Sequence, residues 1–382
     1  MATRTARGAG STAAPHRSPQ TRKPKTAVRP RSASATVART APVVNPLTEE
    51  DPGVLRGYWR QMCLIRRFEE RAAQGYTQAK IGGYCHLNLG EEATVVGLMA
   101  ALRPTDYLFT NYREHGYAIA KGIAPGRVMA ELYGRSTGTS KGWGGSMHMF
   151  DVESRLLGGY GIVGGQVPLA TGAALAIDYR GGDDVVLCQM GDGTTNIGAF
   201  HESLNMAALW NLPIVYVVIN NELGMGTTVE NSSAEPELHK RAAAYRMHGE
   251  RVDGDDVLAV RDATRRLVER ARTTSRPALL ETMSQRLKGH SVVDPAKYRT
   301  EQQLEVLRTA DPLVSFRAAL IEAHIADDSE LAALESEAHV EVDAAVEFAD
   351  TSPHPEVSTL FDYTYATPVA GQTHRLPADP VF

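Results

Sequence analysis

Asp192 stands between two glycines in Gly191-Asp192-Gly193, and 26 further residues bring the chain to Asn220-Asn221. The carboxylate and the second carboxamide offer two hard oxygens, and a nearby main-chain carbonyl, that of Leu223, makes a third. Such a set leaves room around an octahedral Mg²⁺ for two phosphate oxygens and a water. Gly191 and Gly193 permit a tight turn whose backbone N–H groups can approach a phosphate. A helix beginning near Thr195 would add its positive end. Together these parts suit a metal-chelated diphosphate.

For Asp192 and Asn221 to meet, the chain between them must return to one edge. Val185 to Met190 is an apolar run interrupted only by Gln189, strand-like, rising about 3.3 Å per residue. Residues 196–210 read as a helix, which at about 1.5 Å per residue runs back a similar distance. Ile214 to Ile219 is a second, β-branched strand. Both side chains therefore emerge at the carboxyl ends of neighbouring parallel strands, where open α/β sheets bind ligands. An Ala/Leu-rich helix over 168–179 precedes this unit; a helix over 255–275 and a strand from Ala278 to Met283 follow. Continuous apolar strands alternating with helices predict an α/β fold with a parallel sheet covered on both faces. From Pro52, the stripe Leu55, Trp59, Met62, Ile65 and Phe68 predicts an amphipathic helix. Glycine-punctuated segments follow up to Gly165, and from 301 the chain is acidic and helical with a Pro-containing tail.

Gly159-Tyr-Gly161-Ile-Val-Gly164 also satisfies the dinucleotide fingerprint GxGxxG. That fingerprint needs a strand immediately before it and an acidic residue ending the next strand. Asp151 to Arg155 precede it instead, and the next strand runs into the Gly-Asp-Gly turn. Glycines that let backbone approach a ligand are the better reading.

The net charge of −5 hides an asymmetry. Residues 1–48 carry +9 with no acidic residue, leaving −14 on the rest. A body that acidic argues against nucleic-acid binding. No apolar run approaches the roughly 20 residues needed to span a bilayer. Cys63, Cys85 and Cys188 show no CxxC spacing, which fits a reducing compartment. Residues 1–45 are rich in Ala, Ser, Thr, Arg and Pro. They suit a disordered basic tail. The same composition also describes a mitochondrial presequence, and a docking arm stays open. The expected domains are thus 1–45 as tail, 46–300 as the diphosphate-binding domain, and 301–382 as a helical C-terminal extension.

The Gly-Asp-Gly and Asn-Asn pair, with its spacing and strands, resembles the thiamine-diphosphate signature. The segments Gly83-Tyr-Cys-His-Leu, Asn111-Tyr-Arg-Glu-His-Gly, Lys141-Gly-Trp-Gly-Gly-Ser-Met-His, Gly161-Ile-Val-Gly-Gly-Gln-Val-Pro, Asn205-Met-Ala-Ala-Leu-Trp and Gly224-Met-Gly-Thr extend it. Over about Tyr58 to Thr300 the chain resembles the α subunits of the thiamine-diphosphate-dependent 2-oxo acid dehydrogenases, and among them the decarboxylase component of the pyruvate enzymes.

That resemblance implies a thiamine-diphosphate-binding fold and the cofactors thiamine diphosphate and Mg²⁺. It implies that Asp192, Asn221 and the Leu223 carbonyl bind the metal. Tyr112 and Arg113 would hold the diphosphate, with Gly193 and Thr194 at the turn. Gly161 and Val163 would lie along the aminopyrimidine, and Met225 would wedge the cofactor into its bent form. His86 and His290 match active-site histidines. Each of these has a plainer alternative: a surface ion pair for Arg113, core packing for Tyr112 and Met225, and a satisfied structural histidine for His86 or His290. His115 and His148 stay open between helix-end packing and function.

The implied reaction is oxidative decarboxylation of pyruvate with reductive acetylation of lipoamide. The carboxylate that activates the cofactor belongs, by the resemblance, to a β subunit, so the implied assembly is an α₂β₂ heterotetramer serving a lipoyl-bearing acyltransferase. Branched-chain 2-oxo acids and acetoin are the alternative substrates. Lys297 precedes Tyr298-Arg299 where eukaryotic relatives have a regulatory serine, which favours a bacterial, cytoplasmic enzyme over one in the mitochondrial matrix. A regulatory partner with an inactive cofactor fold is the rival from another class, and the intact Asp192 and Asn221 oppose it.

Overall fold

The computed structural model describes residues 46–363. The expectations for the basic tail over 1–45 and for the end of the chain beyond 363 lie outside the described residues.

A single turn, α1 (Pro46–Glu49), leads into α2 (Pro52–Thr77). The stripe read from Leu55 to Phe68 is buried along α2, and the Asp51 side chain caps it by accepting from the Gly53 and Val54 N–H groups. Then come α3 (Glu92–Ala100), β1 (Tyr107–Asn111), α4 (His115–Ala120), α5 (Pro125–Leu132) and β2 (Leu156–Tyr160). The expected alternation follows as α6 (Gln166–Arg180), β3 (Val186–Gly191), α7 (Gly198–Trp210) and β4 (Ile214–Asn220). A small antiparallel hairpin, β5 (Leu223–Gly224) with β6 (Thr227–Thr228), precedes α8 (Val229–Ser232). The sheet is completed by β7 (His248–Asp253), α9 (Val257–Thr274) and β8 (Ala278–Met283).

The six-stranded sheet runs β2-β1-β3-β4-β8-β7 with every pairing parallel. Its central strands are buried on both faces, in keeping with their largely apolar sequences. Along β4 the side chains alternate: Val215, Val217 and Ile219 join one core with α2, α3 and α9, while Ile214, Tyr216 and Val218 join another with α6 and α7. The chain leaves β1 to form β2 on one side and β3 on the other. That reversal opens a crevice at the carboxyl edge, the usual place for a ligand in such sheets.

Three strands of the six-stranded sheet, and the two of the small hairpin, are absent from the sequence reading. β7 is an edge strand, exposed or half-buried along its length, so it shows no apolar run. β1 and β2 lie in the glycine-punctuated stretch. β2 corrects the treatment of GxGxxG, because a strand does run into that motif. Yet β2 pairs only with β1, so the next strand in sequence, β3, is not its neighbour as a dinucleotide unit would need. Gly159 in β2 has a packing reason: a Cβ there would meet the Glu114 carboxylate at 2.0 Å. The helix expected from Thr195 also starts later, for Asp192–Asn196 form a 3₁₀ turn and α7 begins at Gly198.

The C-terminal segment is helical, with α10 (Glu301–Thr309), α11 (Pro312–Glu322) and α12 (Asp328–Thr351). Capping boxes, Thr300 with Gln303 and Asp327 with Glu330, start α10 and α12. Phe316, Leu320, Leu331 and Val342 share the core of α2. The Trp59 indole donates to the Leu331 carbonyl at 3.0 Å, and Arg60 pairs with Glu341 at 2.7 Å.

Candidate active site

The register of β3 on β4 pairs Gly191 with Ile219, so both strands end level and deliver Asp192 and Asn221 to one place. A cavity of about 230 Å³ opens there. Ten of the twelve residues singled out from sequence line it: Tyr112, Arg113, Val163, Asp192, Gly193, Thr194, Asn221, Leu223, Met225 and His290. His86 stands just behind, its ring 4.5 Å from that of Tyr112 and 5.1 Å from that of His290. Gly161 lies apart from the cavity wall, against the His148 ring, where a Cβ would come within 3.1 Å of Nε2.

The turn after β3 is held by the Thr195 hydroxyl, which donates to the Asp192 carbonyl at 2.8 Å. Asp192 is buried, and burial pushes its carboxyl up to about 6. Arg113 donates one N–H to the Leu87 carbonyl at 2.8 Å and another to the His290 carbonyl. Its charge is therefore fixed between the segment holding His86 and the one holding His290. Burial pushes His86 down to about 3 and His290 down to about 4, with the Arg113 charge adding to both. Both imidazoles are neutral at neutral pH, and the Nδ1 atom of each is buried without a hydrogen-bond partner. Such atoms are set to exchange a hydrogen bond with a ligand.

Arg286, Glu91 and Gln189 also line the cavity and escaped the sequence reading, and Asn111, quoted there only as the start of a matching segment, lines it too. Arg286 Nη1 lies 3.5 Å from Asn221 Oδ1 and 3.3 Å from the Leu223 carbonyl oxygen. Two of the three oxygens expected to hold a divalent cation thus converge on a position already cationic. Glu91 accepts from Asn88 Nδ2 at 3.0 Å, and its other oxygen faces Asn221 Nδ2 at 3.4 Å. Gln189 on β3 accepts from the Asn111 N–H at 3.0 Å, which ties the end of β1 to β3. The doubled acid of Glu91-Glu92 beside a glycine was the one available sequence signal.

The two histidines left open are distinguished by their surroundings. His115 is fully buried, its Nδ1 3.0 Å from Glu69 and its Nε2 on Ser146, so it is a structural partner. His148 is exposed and lies against Gly161, apart from the cavity wall.

Glu114 next to Arg113 is fully buried, and burial pushes its carboxyl up to about 8. Its folded value lies above its ordinary one, so the native state binds more protons between the two. Stability must therefore fall as pH rises through that window, by at most ~1.4 kcal/mol per pH unit. Glu114→Gln keeps the acceptor for the Met149 N–H and removes the ionisation. Thermal melts between about pH 5 and pH 8 should flatten in this variant. Curves parallel to those of the parent protein would contradict the assignment.

A sequence model described as "Dehydrogenase E1 component" matches residues 60–358. The chain belongs to this family. It is 45% identical to "Pyruvate dehydrogenase E1 component subunit alpha" of Rhizobium meliloti (strain 1021), over 85% of this chain and 91% of that protein. The subunit of the same name from Zymomonas mobilis is 44% identical over 73% of this chain and 79% of its own length. That from Porphyra purpurea is 42% identical over 73% and 83%. E1 dehydrogenases depend on thiamine diphosphate, and the cavity has the charge for its diphosphate end. Two guanidinium groups, Arg113 and Arg286, the turn after β3 and two carboxylates, Asp192 and Glu91, line it together.

Proposed function

We propose that this chain is the α subunit of a pyruvate-decarboxylating E1 component and holds the Mg²⁺-diphosphate end of thiamine diphosphate at the carboxyl edge of β3 and β4. The observation that carries the reading is that Asn221 Oδ1 and the Leu223 carbonyl both lie within 3.5 Å of the Arg286 guanidinium, in a cavity that Asp192, Tyr112 and Arg113 also line. An anionic carboxylate with two neutral oxygens is a suitable donor set for Mg²⁺. The bound cofactor would supply a carbon nucleophile for the 2-oxo group and a sink for the electrons released with CO₂.

The chain's own residues bind, orient and shield. Arg113 and the N–H groups around Gly193 and Thr194 meet the diphosphate charge. Val163 and Met225 offer apolar surface to the rings. His86 and His290, neutral and unpartnered at Nδ1, can hold a proton or a hydrogen bond at the substrate oxygen. The β subunit completes the site in an α₂β₂ assembly, and a lipoyl-bearing acyltransferase takes the acyl group. The names of the Rhizobium, Zymomonas and Porphyra relatives support pyruvate over a branched-chain 2-oxo acid or acetoin. The bacterial sources of two of them support a bacterial cytoplasmic enzyme. Among the described residues, no helix is long and apolar enough to cross a membrane.

The test is co-expression with the neighbouring β-subunit gene, followed by decarboxylation assays over pyruvate, acetoin and branched-chain 2-oxo acids. Pyruvate should have the highest kcat/KM; a higher value for either rival class would displace it.

Residues 285–300 form the cover of this site. They fold inward through the Arg113–His290 contact, and Tyr298 donates to Asp294 while Asp294 accepts from the His290 N–H at 2.6 Å. We expect the segment to tighten when cofactor binds and exclude water from the reacting carbon. Lys288 and Lys297 are exposed, so limited proteolysis can read the change. Added Mg²⁺ and thiamine diphosphate should protect both positions, whereas identical cleavage in both conditions would mean a static cover.

A further inference from the structure

The turn that presents Asn221 and the Leu223 carbonyl is unusual in its backbone. Glu222 has φ +64°, a left-handed conformation that costs a non-glycine residue about 1 kcal/mol or more. Its N–H is held by the side-chain oxygen of Asn220 at 2.9 Å. The other end of that carboxamide is equally committed, since Asn220 Nδ2 donates to Glu281 Oε1 at 2.7 Å. The turn is thus clamped to a carboxylate on the neighbouring strand.

Glu281 is fully buried on β8, between β4 and β7. Its Oε1 also accepts from Arg251 Nη2 at 2.9 Å. Its Oε2 accepts from Arg251 Nε at 2.9 Å, from the His239 N–H at 3.0 Å and from His239 Nδ1 at 2.9 Å. Burial alone would push this carboxyl up, but the bonds from Arg251, Asn220 and His239 outweigh it and hold it down at about 2. Only an acceptor-only group can take five N–H bonds; a carboxamide would set its own NH₂ against one of them. The direction of these bonds also decides the Asn220 flip, so its oxygen is left for Glu222.

We infer that Glu281, which touches neither cavity nor ligand, is the positioning residue of the metal seat, acting through Asn220 to hold the Asn221 carboxamide and the Leu223 carbonyl in their converging geometry. This rests on the reading of that seat given above. Groups that orient metal ligands from behind typically contribute 10- to 100-fold to metal affinity.

The experiment uses the full chain co-purified with its β partner. Mg²⁺ is titrated by calorimetry in the presence of thiamine diphosphate, and Mn²⁺ by electron paramagnetic resonance. Asn220→Ala is the first variant, because it severs the turn while leaving Glu281 its Arg251 and His239 partners. Glu281→Gln is the second, and if it fails to fold the first still decides. The dissociation constant for both metals should rise about 10- to 100-fold in each folded variant, with the melting temperature of metal-free Asn220→Ala near that of the parent. Metal affinity within threefold of the parent, with a lowered melting temperature, would make the cluster merely structural and overturn the inference. Asp192→Asn separates the two readings. If it abolishes metal binding while Asn220→Ala does not, only the positioning role falls; if it too leaves affinity unchanged, the metal seat falls with it.

Discussion

Purified without a β partner, the chain should fold yet show no measurable decarboxylation of pyruvate, and activity should appear only when the partner is supplied. The reason lies in what its side of the cavity offers. Asp192, Arg113, Asn221 and Arg286 gather at the diphosphate end. Two apolar groups of the lining are left open: Val163 is 47% exposed and Met225 63%. Those side chains can line the rings of a cofactor but cannot move a proton. Glu114, the nearest buried acid on the β2 side, is enclosed behind Gly159, where even a Cβ would collide with it. The family resemblance assigns the activating carboxylate to the β subunit. Removing a general acid–base group of that kind lowers a rate by about 10²- to 10⁴-fold. Robust turnover of pyruvate by the chain alone would end the two-subunit reading.

Asp192→Asn should be the most damaging single substitution for cofactor binding, and the gentlest on the fold. Asn keeps the size of the side chain and loses the anion, the ligand that Mg²⁺ needs most. Mg²⁺ affinity should fall by more than the roughly 10- to 100-fold that losing a group behind the ligands costs. The metal-free protein should melt no lower, and the sign follows from the carboxyl value near 6. That value lies above the ordinary one, so the native state prefers the protonated acid. Its contribution to stability is present at low pH and is lost as pH rises through about 6. At neutral pH a buried carboxylate is therefore a burden in the absence of metal, and Asn relieves it. A ligand at one hundred times its dissociation constant stabilises by about 2.7 kcal/mol. Worth several degrees in a thermal melt, this gain should appear in the parent with Mg²⁺ and thiamine diphosphate and vanish in Asp192→Asn. An equal thermal gain in both proteins would remove Asp192 from the metal.

The central strands were legible because burial on both faces leaves a largely apolar run, as in Val185 to Met190, where Gln189 is the one polar residue, and in Ile214 to Ile219. The distance between Asp192 and Asn221 was legible for a related reason. One strand, one helix and one parallel strand form a local unit whose lengths return the chain to the same edge. Where local pattern is weak, the reading missed. β7 is half-exposed at the sheet edge, and β2 carries Gly158 and Gly159 where a Cβ would meet the Phe150 ring and the Glu114 carboxylate. No periodicity announces either strand.

Sequence by itself determined the ligand types, their spacing and the parallel α/β frame, because each follows from residue chemistry and from the rise of short, regular elements. Tertiary structure alone decided which distant groups share the cavity. Glu91 reaches Asn221 across 130 positions, and Arg286 reaches the Leu223 carbonyl across 63. It also decided that His115 serves Glu69 while His86 and His290 face one another, and that Glu281 clamps Asn220 from a neighbouring strand. Burial, unlike spacing, is a property of the packed whole: it makes His86 neutral and Asp192 reluctant to ionise, and it depends on atoms contributed by every layer of the fold.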